Sequence, residues 1–131
     1  MPRVVLTVSL LPGRLAVCQL GPGDDVPPWA SAGVIYSITR TGDELSIVCD
    51  EANVPDGVTC ERGWRVFKLE GPFNFGLTGI MRAVADPLAD AGVSIFTQST
   101  YNTDYVMVKD EQVDQAVGAL KESGHYVKRR R

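Results

Sequence analysis

The segment at residues 70–104, EGPFNFGLTGIMRAVADPLADAGVSIFTQSTYNTD, places a glycine-rich loop, a helix, a strand and a turn in direct succession. Apolar residues recur over residues 77–88 at the three- and four-residue spacing of one helix face. Pro87 is expected to kink the last turn of this helix, and Gly92 stands where a C-terminal cap belongs. Residues 93–97 then predict a strand. The start of this helix, next to a polar turn, is a place where backbone N–H groups can hold a small anion.

Length and composition indicate a folded protein and exclude several functional classes. The chain has 131 residues, 44% hydrophobic and 22% charged, which fits one domain or two small modules sharing a core. A net charge of −3 gives no support for nucleic-acid binding. No apolar run reaches the roughly 18 residues of a membrane span, and we expect no signal peptide, so the predicted location is the cytoplasm. The basic residues 128–131 are expected to be a solvated tail.

The cysteines and the single histidine give little support for catalysis or metal binding. Cys18, Cys49 and Cys60 form no C-x-x-C pair, and their odd number favours reduced thiols over disulfides or a zinc site. We expect them to be small buried hydrophobic residues rather than nucleophiles. His125 follows Gly124 near the end of the chain, without the context of an activated nucleophile. The sequence therefore predicts no enzyme, no metal and no cofactor.

The second half of the sequence predicts the order β-α-β-β-α-β, the ferredoxin-like or split-βαβ arrangement. The predicted elements are residues 64–69, 77–91, 93–98, 105–108, 113–123 and 125–127, with Asp110 as the N-cap of the second helix. The first half repeats this order with helical turns only. Its predicted strands are residues 4–8, 14–20, 34–39, 45–49 and 58–60, with short helical turns within residues 27–31 and 50–55. We therefore predict an α+β protein of two ferredoxin-like modules, residues 1–62 with reduced helices and residues 63–131.

Six motifs in these modules carry a family resemblance. They are LPGRLAVC at residues 11–18, RTGDEL at 40–45, ERGW at 61–64, FGLTGI at 75–80, GVSIF at 92–96 and STYNTDY at 99–105. RTGDEL and STYNTDY are the most specific of them. The sequence resembles the ACT-domain family of small βαββαβ modules that bind amino acids. In particular it is similar to compact bacterial proteins with tandem ACT modules, which are related to the ACT modules of the animal cytosolic arginine sensor.

The resemblance implies a ligand site. In ACT-domain proteins the ligand lies between the first strand–helix loop of one module and the second strand and turn of a neighbouring module. The residues at the matching positions are Phe75, Gly76, Leu77, Thr78, Gly79, Ile80, Thr97, Ser99, Thr100 and Asp104. Backbone N–H groups at the helix start would bind a carboxylate, and Asp104 would bind an ammonium group or a basic side chain. Asn102 stands where the family often has an acidic residue.

Each of these residues also has a purely structural interpretation. Gly76 and Gly79 suit a tight turn, and Asp104 suits the end of a hairpin. The leading hypothesis is a non-enzymatic, allosteric regulatory protein that binds an amino acid and neither nucleic acid nor membrane. The alternative is a structural or protein-interaction module of the same fold without a ligand. The resemblance also implies paired modules, and unpaired strand edges invite pairing, so we expect a homodimer or an intramolecular pair that serves the same purpose.

Overall fold

The chain alternates strands and helices in the predicted α+β order. The computed structural model describes residues 4–73 and 78–130. It divides into two units, which we call the small unit (Pro12–Trp64) and the large unit (Met1–Leu11 with Arg65–Arg131). The strands and helices are β1 (Thr7–Leu10), β2 (Leu15–Leu20), β3 (Ser37–Arg40), β4 (Leu45–Asp50), β5 (Thr59–Leu69), α1 (Ile80–Asp90), β6 (Phe96–Ser99), β7 (Asp104–Lys109), α2 (Val113–Glu122) and β8 (Tyr126–Arg129). Short 3-10 helices occupy Pro28–Ala30, Glu51–Asn53 and Asp110–Gln112.

The small unit is an antiparallel sheet with the strand order β3–β4–β2–β5. The 3-10 helices Pro28–Ala30 and Glu51–Asn53 occupy the places of the two helices in the βαββαβ order. This confirms a first module with reduced helices. Its core is built from residues on one face of the sheet and from the two short helical regions. The buried residues are Ala16, Cys18, Ala30, Leu45, Ile47, Cys49 and Val54.

Two arginines hold the loops that replace helices in the small unit. The guanidinium of Arg62 donates to the carbonyl oxygens of Glu51 at 3.0 Å and Val54 at 3.1 Å. Arg40 donates in the same way to two carbonyl groups in the loop at residues 22–24. Because a guanidinium presents its donors in a rigid fork, one side chain can hold two backbone carbonyl groups of a short loop at once.

The separate strands predicted at residues 58–60 and 64–69 are wrong, because β5 runs without interruption from Thr59 to Leu69. The segment Glu61-Arg62-Gly63 looks like a turn in the sequence. In the structure Gly63 has φ 81°, and the pairing of β5 with β2 shifts register between Leu15 and Val17. A glycine with positive φ in a strand accommodates an extra residue as a β-bulge, which bends the strand without ending it.

The sheet of the large unit has the strand order β6–β7–β5–β1–β8. Strand β1 is antiparallel to β5 and parallel to β8. Residues 1–11 were predicted to belong to the first module, but they group with the large unit. The division between the units falls after Trp64, whereas it was predicted after Arg62. The reason is burial, since β1 and its preceding residue supply part of the large core. That core contains Leu6, Val8, Leu10, Phe67, Leu69, Val84, Leu88, Val93, Val106, Val108, Val113, Ala116, Val117 and Leu120.

Both α-helices of the large unit end in the same glycine cap. After α1, Gly92 has φ 77°, and the N–H groups of Gly92 and Val93 donate to the carbonyl oxygens of Ala89 at 3.0 Å and Leu88 at 2.9 Å. This pair of bonds is the Schellman motif, so the predicted cap at Gly92 is confirmed. Gly124 caps α2 in the same way, with φ 92°. The residue after Gly124 is His125, and the cap therefore fixes where the imidazole lies.

Pro87 lies inside α1 and has no N–H group, so it cannot donate to the carbonyl oxygen of Ala83 one turn earlier. The imidazole of His125 replaces that donor, with Nε2 lying 2.8 Å from the Ala83 oxygen. Its Nδ1 accepts a hydrogen bond from the N–H of Leu6 at 3.1 Å. Because Leu6 N–H is a donor and the Ala83 carbonyl is an acceptor, the buried ring must be neutral, with its proton on Nε2.

Residues 128–130 are exposed to solvent, as predicted, but they do not form a free tail; Arg131 lies outside the described residues. Lys128 and Arg129 belong to β8. The N–H of Arg130 donates to the Leu10 carbonyl at 2.8 Å, and its guanidinium lies 2.7 Å from the Glu70 carboxylate. The segment is ordered because β1 offers it a parallel strand to pair with.

Asp110 was predicted to be the N-cap of the second helix, and this is also wrong. Asp110 opens a 3-10 helix, and α2 begins at Val113 after Gln112, which makes no side-chain capping bond. The Asp110 carboxylate instead accepts a hydrogen bond from the Arg65 guanidinium at 3.3 Å. The carboxylate thus takes part in an ion pair with a residue of β5.

Glu70 makes the stability of the large unit dependent on pH. The hydroxyl of Ser9 donates to its carboxylate at 2.6 Å and lowers the pKa of Glu70 below its ordinary value of 4.5. Lys68 and Arg130 lower this pKa further, whereas partial burial opposes them. A lowered pKa in the folded state adds stability above pH 4.5, and this stability is lost as the pH falls below 4.5 through the folded pKa.

We therefore expect Glu70→Gln to destabilise the protein at neutral pH and to cost progressively less as the solution is acidified below pH 4.5. The measurement is urea unfolding of both proteins across the acid range. Glu111→Gln, at an exposed glutamate, is the matched control and should show little difference at any pH. A Glu70→Gln cost that does not change with pH would contradict the role of Glu70.

Candidate functional site

The predicted site residues of the β6–β7 hairpin share one face of the sheet. Thr97 is paired with Val106, and Ser99 is paired with Asp104. Since side chains alternate along a strand, Thr97, Ser99 and Asp104 lie on the same face as Val106. Val106 is buried in the core that also contains the helix residues Val84 and Leu88. These three polar side chains therefore lie on the helix-bearing face of β6 and β7.

The hairpin turn is closed by its own side chains. The hydroxyl of Ser99 donates to the Asp104 carboxylate at 2.5 Å. The N–H of Thr100 donates to the Thr103 carbonyl at 2.8 Å, and the Thr100 hydroxyl bonds the backbone of Thr103. Asp104 thus has a structural role at the end of the hairpin. One of its carboxylate oxygens serves that role, and a carboxylate has a second oxygen that can accept a ligand proton.

Two hydrogen bonds attach this turn to the segment that leads into α1. The buried hydroxyl of Thr103 donates to the Leu69 carbonyl at 2.6 Å. The N–H of Phe73 donates to the Asn102 carbonyl at 2.9 Å. Thr103 belongs to the STYNTDY motif, but the sequence did not predict its bond to Leu69, which lies 34 residues away. The contacts show that the turn and the start of the strand–helix connection are held together within the large unit.

The helix side of the site begins with Thr78, Gly79 and Ile80. Thr78 and Gly79 are exposed, and Ile80 packs against the core of the large unit. Gly79 precedes α1 with φ 80°, and its carbonyl accepts the first helix bond from the N–H of Ala83 at 3.0 Å. Phe75, Gly76 and Leu77 were predicted to line the same site and lie outside the described residues. Ligand binding by any of these residues remains a prediction.

The start of α1 has the electrostatics of an anion site. The first N–H groups of a helix have no partner within the helix and carry its partial positive charge. Gly79 has no side chain to cap them, and the first turn of α1 contains no acidic residue. A carboxylate at this place gains roughly 0.3–1 kcal/mol from the helix dipole when exposed.

The thiols of the small unit are poor nucleophiles. Cys18 and Cys49 are buried, as predicted, and Cys60 is partly exposed. Burial raises the pKa of Cys18 to about 12, with smaller contributions from the neighbouring Cys49 and Cys60. Burial also raises the pKa of Cys49. These two thiols are therefore protonated at neutral pH, and a protonated thiol does not attack a substrate.

Residues 4–73 and 78–130 contain no group of three or more histidine, cysteine or acidic side chains arranged to hold a metal ion. Within the same residues, no helix has the length and apolar character needed to cross a membrane.

Thr103 provides a test of the hydrogen bonds that hold the turn. Thr103→Val keeps the shape of the side chain and removes the donor to Leu69, which leaves a buried carbonyl oxygen with one partner fewer. We expect a loss of about 1–3 kcal/mol in the free energy of unfolding, measured with urea. Thr103→Ser retains the hydroxyl and is the control, with a smaller loss. Equal losses in the two variants would show that the methyl group matters and the hydrogen bond does not.

Known proteins share both the sequence patterns and the fold. Residues 59–122 match the family model described as ACT domain, and residues 13–57 match a second model described as an N-terminal domain. The cytosolic arginine sensor for mTORC1 subunit 1 of Bos taurus is 28% identical over 104 residues, which are 71% of this chain and 32% of that protein. The chain thus spans about a third of the length of the curated relatives it matches.

Two crystal structures extend the likeness to the whole fold. A protein of Agrobacterium tumefaciens is 35% identical, with a TM-score of 0.92 over 98% of this chain and 96% of its own. The regulatory subunit of aspartate kinase from Thermus thermophilus shares the fold at 11% identity, with a TM-score of 0.64 over 92% of this chain and 99% of its own. Residues 59–122 therefore form an ACT domain, and the βαββαβ order of both units agrees with that fold.

Proposed function

We propose that this protein is a non-enzymatic regulatory protein that binds an amino acid at the start of α1 and at the β6–β7 hairpin. The observation that carries the proposal is the attachment of the hairpin turn to the strand–helix connection, through Thr103 to Leu69 and Phe73 to Asn102. These bonds tie the hairpin that carries Asp104 to the segment that leads into α1, so each module carries both halves of the proposed site, and a neighbouring module completes each of them. An amino acid carries the complementary carboxylate and ammonium groups.

The ligand carboxylate would bind the backbone N–H groups near Gly79 and Ile80. A cationic group of the ligand would bind Asp104, whose other oxygen already accepts the Ser99 hydroxyl. A guanidinium group is the best match to a carboxylate, because its donors form a planar fork. The relatives named arginine sensors point to the same ligand, and L-arginine is therefore our first candidate.

The proposal includes the assembly. In the family the strand–helix loop of one module faces the hairpin of a neighbouring module, and a homodimer in the cytoplasm would supply that neighbour. Ligand binding across such an interface would change the pairing of the modules, which is how a protein without catalytic groups can regulate a partner. Light scattering with and without L-arginine tests this part. We expect a dimer whose stability to dilution increases with the ligand.

A thermal-shift screen against the twenty standard L-amino acids tests the binding function. A ligand that binds only the folded state adds about 2.7 kcal/mol of stability at a hundredfold excess over its Kd. We expect L-arginine to raise Tm. Agmatine, which is arginine without its carboxylate, is the matched control ligand and should have little effect if the helix start binds the carboxylate. No shift with any amino acid would favour the alternative of a ligand-free interaction module.

Asp104 separates ligand binding from hairpin structure. Charge-assisted hydrogen bonds contribute roughly 1.5–3 kcal/mol, so Asp104→Ala should weaken L-arginine binding by about 10- to 150-fold in calorimetry. Asp114→Ala removes the same charge at a fully solvated position, where the side chain is 98% exposed, and should leave the affinity unchanged. If Asp104→Ala lowers the free energy of unfolding while the affinity for L-arginine stays the same, Asp104 stabilises the hairpin and does not bind the ligand.

A further inference from the structure

We propose that His125 regulates the amino-acid site proposed above: the neutral imidazole holds the first turn of α1 in its binding position, and protonation of Nδ1 releases that turn and weakens ligand binding. The inference rests on the proposed function for its ligand. The hydrogen bonds that carry it belong to the fold and can be tested without a ligand.

A chain of hydrogen bonds connects the imidazole to the predicted ligand loop. The N–H of Ala83 donates to the carbonyl of Gly79 at 3.0 Å, and the carbonyl of Ala83 accepts from Nε2 of His125 at 2.8 Å. The N–H and the carbonyl group of Ala83 thus connect Gly79, the residue before α1, to the imidazole of His125. In a regular helix the N–H of the residue one turn later would donate to the Ala83 carbonyl. That residue is Pro87, which has no N–H group.

The opposite side of the ring makes this connection sensitive to a proton. Nδ1 accepts the N–H of Leu6 at 3.1 Å, so a proton on Nδ1 would bring two donors together in a buried place. The ring then has to move, and it loses the Ala83 carbonyl as it does so. A proton on Nδ1 therefore releases the first turn of α1.

The charged side chains described around the ring do not offset the positive charge that this proton adds to the imidazole. A cleft of about 390 Å³ beside it is lined by Val4, Gly79, Arg82, Ala83, Asp86, Pro87, Ser123 and His125. Its described charged residues are Arg82 and Asp86, both on α1, and they pair with each other at 3.0 Å. The segment around Leu6 and the end of α2 contribute Val4 and Ser123, which carry no charge. The cleft also includes Gly79, so the imidazole and the opening residue of α1 border the same space.

The first test uses nuclear magnetic resonance of the full chain without ligand. His125 is the single histidine, so the ring nitrogens give one set of signals. At about pH 7.5 we expect a bare Nδ1 and a protonated Nε2. On acidification to about pH 5.5, the amide signals of residues 80–84 should shift together with the ring in the natural protein. In Pro87→Ala they should not, because the restored N–H holds the Ala83 carbonyl. If the amide signals of residues 80–84 do not shift when the ring is protonated, the proposal is overturned.

The second test measures L-arginine affinity by calorimetry at about pH 7.5 and pH 5.5. One lost neutral hydrogen bond is worth about a fivefold change, so the natural protein should bind about fivefold more weakly at the lower pH. Pro87→Ala should bind equally at both pH values. His125→Gln, whose amide can replace Nε2 as a donor without titrating, should do the same. Equal affinity of the natural protein at both pH values would overturn the proposal.

The two tests separate this inference from the proposed function. If no standard amino acid binds the natural protein at about pH 7.5, the proposed function fails, and with it the regulatory role of His125 at that site. The magnetic resonance result then decides whether the imidazole still controls the first turn of α1 as a property of the fold. If the natural protein binds L-arginine and Pro87→Ala retains the same dependence on pH, the proposed function stands and the inference about His125 fails.

Discussion

The pairing of β1 between β5 and β8 is the constraint on which the large unit depends. Strand β1 buries Val8 and Leu10 in the core while its backbone satisfies partners on both sides. The same short segment places the Ser9 hydroxyl against Glu70 and the Leu6 N–H against His125. Loss of this strand would therefore remove apolar burial, one ion-pair network and the orientation of the imidazole together.

The candidate site is built from backbone geometry more than from reactive groups. A turn held by Thr103, a helix start opened by Gly79 and a helix carbonyl held by His125 are all arrangements of peptide groups. Such groups distinguish ligands by shape and charge but offer no nucleophile or general base. The thiols and the imidazole, which are the usual reactive groups, are committed to packing and to backbone hydrogen bonds. This distribution of chemistry is consistent with the non-enzymatic role proposed above.

Local patterns predicted much of this fold, and non-local pairing explains most of what they missed. The helix periodicity and Gly92 predicted α1 and its end because both depend on near neighbours. The placement of β1 depends on β8, and the bulge at Gly63 depends on β2, so neither leaves a local pattern. Asp110 does not cap α2 because a 3-10 helix precedes α2, and its carboxylate pairs with Arg65, which is distant in sequence. At the site, the hairpin residues were found by their motif, whereas Thr103 and His125 act through partners that only the fold brings near.

The order of the strands along the chain also sets an order of assembly during synthesis. The small unit is one continuous stretch of chain, Pro12–Trp64, so a ribosome has delivered the whole of it before β8 exists. Strand β1 emerges earlier, yet Leu6 and its partner His125 are 119 residues apart. Closing so long a loop is slow and entropically costly. Until β8 has been synthesised, the Ala83 carbonyl lacks the His125 donor, and β1 has one unpaired edge. This is the state of the nascent chain to which chaperones would bind.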